Sequence, residues 1–265
     1  MTYEEAKERV KKAAGDYQSI AVEHNFNSAM LKKRESELEQ ALRTVVAELS
    51  LSPIDVQFLP DSDQICVTTE GHFASARLLL QDMINSPDAD KFIRCRFDRA
   101  FTNFVGDISR YNPTSTLKEV QQTCGYLSLM MSNITKEVTD VIYKNGKSLD
   151  ETRRAKIDLE EDYKEYCSQL ESEMEIAASC WLSQVNIVPG MRLCIQDLRT
   201  INTSRKTEIR TVKSISNTAD MIAFKETASV VTDKSRIHPL KSWLINEPEF
   251  AKIEKTLNLL KVLSH

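Results

Sequence analysis

The sequence predicts a mainly helical α+β protein with three parts: a long antiparallel helical hairpin or coiled coil, a small α/β cap, and a C-terminal SH3-like β-barrel. Three observations carry that reading. Leu117, Val120, Cys124, Leu127, Met131, Ile134, Val138 and Val141 form a heptad seam that requires a partner helix. A second seven-residue series, Tyr3, Val10, Tyr17, His24, Leu31, Leu38 and Val45, runs through the first fifty residues. Beyond Val188-Pro189-Gly190 the pattern changes to short β-type runs separated by polar turns.

Residues 2–50 read as one helix. Thr2 and Glu5 are spaced for a capping box, and Glu4 and Glu5 suit the positive end of the helix dipole. Gly15-Asp16 and His24-Asn25 are points where this helix would bend or break. Ser52-Pro53 ends it. Ile54 to Phe58 and Gln64 to Val67 then alternate as a β-hairpin around Leu59-Pro60-Asp61-Ser62-Asp63. Two helices are expected to follow. The first spans His72 to Asn85, and the second runs from Asp88 to Tyr111 with an apolar stripe that includes Ile93, Phe97 and Phe101. Residues 51–111 form the α/β cap, and Asn112-Pro113 breaks to the central hairpin, 114–186.

In that hairpin Asn145-Gly146-Lys147 supplies turn chemistry, and Ser148 with Glu151 is placed to cap the second arm. The second arm has a less regular seam, Leu159, Tyr163, Tyr166, Leu170, Met174, Ala177 and Trp181, with a stutter between Leu170 and Met174. The runs Met191–Leu198, Thr207–Ile215, Met221–Lys225 and Ser229–Thr232 predict a small antiparallel barrel over 188–245. Glu247-Pro248-Glu249 opens a C-terminal amphipathic helix within 246–265, whose stripe of Phe250, Ile253, Leu257, Leu260 and Leu263 must be buried against something.

Charge separates these parts. The chain has a net charge of −4 and is 28% charged and 41% apolar. Residues 188–245 hold ten Lys and Arg against five Asp and Glu, a net of +5. Residues 246–265 carry three of each sign, which leaves 22 basic and 31 acidic side chains, a net of −9, in residues 1–187. An acidic helical body therefore carries a basic β-module. The first seventeen residues are charged throughout, so no secretory signal is read there, and no apolar run reaches membrane-spanning length. The expectation is a cytoplasmic protein without a membrane partner.

Catalytic signatures do not emerge. Six glycines leave little material for phosphate-cradling turns, and GxSxG, HExxH and Gly-rich phosphate loops do not occur. The six cysteines form no CxxC and no Cys/His cluster, so they read as buried thiols rather than zinc ligands. Ser86-Pro87-Asp88-Ala89-Asp90-Lys91 places carboxylates near a lysine, but at a helix start, where Ser and Asp serve as caps. Lys91, Arg94, Arg96 and Arg99 are interleaved with Asp88, Asp90 and Asp98, which reads as a solvated helix face. His24 on the first seam reads as a core or rim residue. No enzyme activity, cofactor or metal is expected.

The candidate binding residues are Arg192, Arg199, Arg205, Lys206, Arg210, Lys213, Lys234 and Arg236, with Lys225 beside them. Gathered on one face, they would neutralise phosphates or an acidic protein surface. Phe224 and Trp243 are the only aromatics nearby, too few for a base-stacking platform or an aromatic cage. The expected function is a non-catalytic interaction or regulatory protein. Its basic barrel would bind nucleic acid or an acidic protein partner, with the coiled coil as scaffold. The alternative is an inhibitor or adaptor acting through the acidic rod and C-terminal helix, without nucleic acid. A second copy could pair through the coiled coil or that last helix.

Overall fold

The computed structural model describes residues 1–51, 54–69, 72–111, 125–126, 128–196, 207–216, 221–226 and 231–263. It is mostly helical with two small antiparallel sheets, and it divides into two units: Met1–His24 with Glu161–His265, and Asn25–Glu160. Helix α1, Tyr3–Ala47, and helix α4, Lys136–Gln184, contribute residues to both.

In the first unit, α1 begins with the expected capping box. Thr2 Oγ1 accepts from the Glu5 amide at 3.2 Å, and a Glu5 carboxylate oxygen accepts from the Thr2 amide at 2.7 Å. Helix α1 continues through Gly15 and His24-Asn25 without a break. Its early turns run antiparallel to the end of α4: the Tyr3 amide donates to Gln184, Arg9 pairs with Glu173, and Tyr17 meets Tyr163. Ala6, Val10, Ala14 and Tyr17 are buried with Leu170, Met174, Ala177 and Trp181. The expected seam is therefore real in this region, except that Cys167 is buried where Tyr166 is exposed. The Tyr17 and Tyr163 hydroxyls lie 2.8 Å apart, and buried His24 stacks on Tyr163 with centroids 4.2 Å apart. Burial, followed by the hydrogen bond to Tyr163, pushes the Tyr17 phenol well above its ordinary value. His24 is thus a core residue.

The same unit carries the four-stranded sheet β4-β5-β6-β7, with strands Arg192–Gln196, Thr207–Ile215, Met221–Phe224 and Val231–Asp233. A 3-10 turn, Lys234–Arg236, helix α5, Pro239–Asn246, and helix α6, Pro248–Leu263, follow. The first three strands fall within the expected runs, the fourth is Val231–Asp233, with residues 229–230 of its expected run outside the described residues, and α5 stands where the barrel was expected to continue to 245. No closed barrel is present among the described residues; the sheet is open, with a single bridge between Ile195 and Ile237. Leu193, Ile195, Val212, Ile222 and Phe224 face the core with Trp243 and Phe250, whose rings stack at 4.6 Å.

The outer edge of β4 is not left open. Ser242 Oγ accepts from the Cys194 amide at 2.9 Å, and the His238 amide donates to the Cys194 carbonyl at 2.8 Å. Asn246 Nδ2 donates to the Arg192 carbonyl at 2.9 Å. Helix α5 thereby satisfies backbone groups that an unpaired edge strand would expose.

In the second unit, β1 (Ile54–Leu59) and β2 (Gln64–Thr69) form the expected hairpin, with Val56 and Phe58 buried. The expected helix over 72–85 is not formed. His72–Leu79 is strand β3, paired antiparallel with β2, and only Leu80–Ile84 is helical, as α2. The alternating and helical patterns overlap in this short apolar run, and pairing with β2 decides between them. Helix α3, Ala89–Tyr111, is capped by Asp88, whose carboxylate accepts from the Lys91 amide at 3.0 Å.

The central hairpin is overturned. Residues 145–147 lie inside α4, a continuous helix, and the interruption falls at Ile134-Thr135 instead. Seam residues 117–124 and Leu127 lie outside the described residues. In this unit the partner of α4 is α1, since Arg153 and Lys156 bind Glu35. Gly146 is kept helical by packing. A Cβ there would approach Met83 Cε to 2.8 Å and Leu80 Cδ2 to 3.1 Å, so glycine permits α2 to sit close to α4.

Candidate interaction face of the C-terminal β-module

Strand β5 is central among the candidate residues. Its register pairs Arg192 with Thr211, Leu193 with Arg210, Cys194 with Ile209 and Ile195 with Glu208. Side chains directly opposite share a face. Leu193, Ile195 and Val212 mark the inner face, so Arg192, Ile209 and Thr211 mark the outer one. On the other side of β5, Val212 opposes Phe224, Ser214 opposes Ala223, and a bulge places Lys213 between them. The Lys225 amide donates to the Thr211 carbonyl at 2.9 Å, so Arg192 and Lys225 flank Thr211 on its two sides.

The eight candidates separate into groups. Arg192 and Lys213 are exposed, as is neighbouring Lys225. None of these three makes an ion pair with another described residue. Arg210 is on the inner side of β5, its side chain 17% exposed, and gives its guanidinium to Glu208 at 2.7 Å. It is already neutralised. Arg236 is half-buried in the 3-10 turn that Lys234 begins. Arg199, Arg205 and Lys206 lie outside the described residues.

Two neighbours that sequence reasoning passed over complete the face. Lys241 of α5 is exposed and donates through Nζ to the Thr207 hydroxyl at 3.2 Å. Glu226 accepts from the Thr211 amide at 3.0 and 2.9 Å with its two oxygens. The backbone and side-chain hydrogen bonds from Thr211 hold this carboxyl below the usual carboxylate range. The Glu208–Arg210 pairing was legible, because residues two apart on a strand share a face.

The other candidate chemistry resolves into structure. Asp90 accepts from Thr139 Oγ1 at 2.6 Å and from Arg94 at 3.0 Å, which lowers its carboxyl. Arg96 stacks over Phe92 at 5.0 Å and lies 3.8 Å from Asp82. His238 caps α5, its Nδ1 accepting from the Lys241 amide at 3.4 Å. Cys66, Cys167 and Cys194 are buried thiols, whereas Cys95 is exposed. Among the described residues no cluster of His, Cys, Asp and Glu could hold a metal ion, and no helix is long and apolar enough to cross a membrane.

A charged cluster in the second unit has no counterpart in the sequence reading. Arg153 of α4 donates to Glu35 at 2.9 Å, to Glu39 at 2.8 Å, to the Pro60 carbonyl at 3.3 Å and to Asp63. Lys156 joins at Glu35. Burial pushes the Glu35 carboxyl up, but hydrogen bonds and charge from Lys156 and Arg153 outweigh it and hold it low. The cluster fixes the β1–β2 turn, where Asp63 adopts a left-handed φ of 51°. Compared with protein-family models, curated proteins and solved structures, the chain matches none of them.

Proposed function

We propose that this chain is a non-catalytic interaction protein whose basic β-module, 188–245, binds an anionic partner, while the long helices serve as scaffold. One observation carries the reading: Arg192, Lys213 and Lys225 are exposed around the outer side of β5 without ion-pair partners among the described residues. Cations without an ion-pair partner among the described residues are available to nucleic-acid phosphates or to the carboxylates of an acidic protein surface. The return of Ile237 to bridge Ile195 after a 3-10 turn supports an SH3-like arrangement of the strands.

The test is binding of labelled single- and double-stranded nucleic acid, and of polyglutamate, at low and physiological salt. A salt-sensitive complex weakened in Arg192→Ala/Lys213→Ala/Lys225→Ala supports the reading. Weakening by Arg205→Ala/Lys206→Ala would extend the site into the β4–β5 connection. If no polyanion binds at low salt, the reading fails, and the acidic helices become the place to look for a protein partner.

A further inference from the structure

We infer that the partner of this face is an extended acidic peptide with apolar side chains at both ends, laid along β5; this rests on the reading of the β-module as an anion-binding face. The register supplies the pattern. Ile209, 50% exposed, lies at one end of the face, close to Thr207, whose hydroxyl holds the Lys241 ammonium. Two residues on comes the row Arg192, Thr211, Lys225, then Lys213 in the bulge. Met221, 43% exposed, closes the other end, where the Ser216 amide donates to its carbonyl at 3.2 Å. From Ile209 to Ile215, the end of β5, is about 20 Å at roughly 3.3 Å per residue, the reach of a short extended peptide. The face therefore reads apolar, basic, apolar.

Several features favour a peptide over nucleic acid. Phe224 and Trp243 are buried at 1% and 0% exposure, so neither offers a ring on which a base could stack. Residues 188–265 contain no tyrosine and no further tryptophan. An acidic peptide can set its carboxylates against Arg192, Lys225 and Lys213 while covering Ile209 and Met221. Charge then orients the chain, and the apolar ends fix its register.

The test uses the full chain and a fluorescein-labelled nonapeptide with five central Asp and Glu residues and a leucine pair at each end. Its controls are the same peptide with serines for leucines, and a single-stranded oligonucleotide of similar charge. The leucine-flanked peptide should bind about tenfold or more tightly than the serine-flanked one, because two half-exposed apolar side chains become covered. Ile209→Ser/Met221→Ser should erase that difference, and Arg192→Ala/Lys225→Ala should weaken both peptides. All these substitutions are at exposed positions, and unchanged fluorescence from Trp181 and Trp243 will confirm folding. Equal binding of the two peptides, or binding of the oligonucleotide alone, overturns the peptide while leaving an anion-binding face. Failure of all three probes at low salt overturns both.

Discussion

Arg153 offers the sharpest test of what holds the second unit together. Its guanidinium serves Glu35, Glu39, Asp63 and the Pro60 carbonyl at once, and its side chain is 24% exposed. Sheltered charge-assisted hydrogen bonds contribute about 1.5–3 kcal/mol each, whereas exposed ion pairs give about 0.2–1 kcal/mol. The Glu35 and Glu39 bonds are between these limits, and Asp63, 45% exposed, is nearer the lower one. Allowing about 1 kcal/mol for each of the first two and half that for the third, Arg153→Met should cost about 2–3 kcal/mol. Glu35 and Glu39, one turn apart, would also repel once uncovered.

Arg154 is the internal control. It is 63% exposed and, among the described residues, pairs only with Asp150, at 2.8 Å, so Arg154→Met should cost about 0.5 kcal/mol or less. Urea unfolding by circular dichroism gives the two free energies, and hydrogen exchange across residues 54–69 gives the local effect. The β1–β2 amides should exchange faster in Arg153→Met and at the native rate in Arg154→Met. The acid response follows from Glu35. Its folded-state carboxyl is held below the ordinary 4.5, so its contribution is present above that value and is lost as pH falls through the depressed one. Equal costs for the two variants, or unchanged exchange in the hairpin, would refute the reasoning.

Three further outcomes are expected. Gly146→Ala gains about 1 kcal/mol of helix propensity but drives a methyl into Met83 and Leu80, an overpacking cost of about 1–3 kcal/mol. A net loss of about 1 kcal/mol should appear in urea unfolding, and a gain would mean that the α2–α4 contact is slack. Ser242→Ala leaves the buried Cys194 amide without its acceptor. It should cost about 1–3 kcal/mol by tryptophan-monitored unfolding, with faster exchange of that amide. His238 is held below its ordinary 6.5, first by burial and then by the Lys241 charge, and it caps α5 only while Nδ1 is unprotonated. The unfolded chain takes up the proton first, so the contribution of His238 is complete above about pH 6.5 and is lost as pH falls through the lower folded value. His238→Asn, which keeps a cap, should flatten the stability change between about pH 7 and 5.

Much of the fold was legible because local rules and tertiary packing agree. The Thr2–Glu5 box, the buried face of α1 from Val10 to Tyr17 and the four C-terminal strands all follow from spacing and alternation. The failures occur where packing or pairing partners, rather than the local pattern, decide. Asn145-Gly146 has turn chemistry, yet the close approach of Met83 gives that glycine a packing role inside a helix. His72–Leu79 can serve either pattern until β2 is beside it. The Arg153 cluster joins residues 90 to 118 positions apart, so no window reveals it. At the β-module, composition counts Arg210 as an available cation, whereas its guanidinium pairs with Glu208 two residues away on the same strand.

The seam between α5 and β4 bears on how copies of this protein could associate. Ser242, His238 and Asn246 occupy the Cys194 amide and carbonyl and the Arg192 carbonyl along one margin of the sheet, which takes these groups away from any further strand there. In the order β4-β5-β6-β7, the remaining margin is β7. A sheet closed at one margin can pair with a twin only at the other, and such a pairing consumes the growth point of both molecules. Strand exchange would then stop at a closed pair, whereas a sheet open on both sides could add molecules without limit.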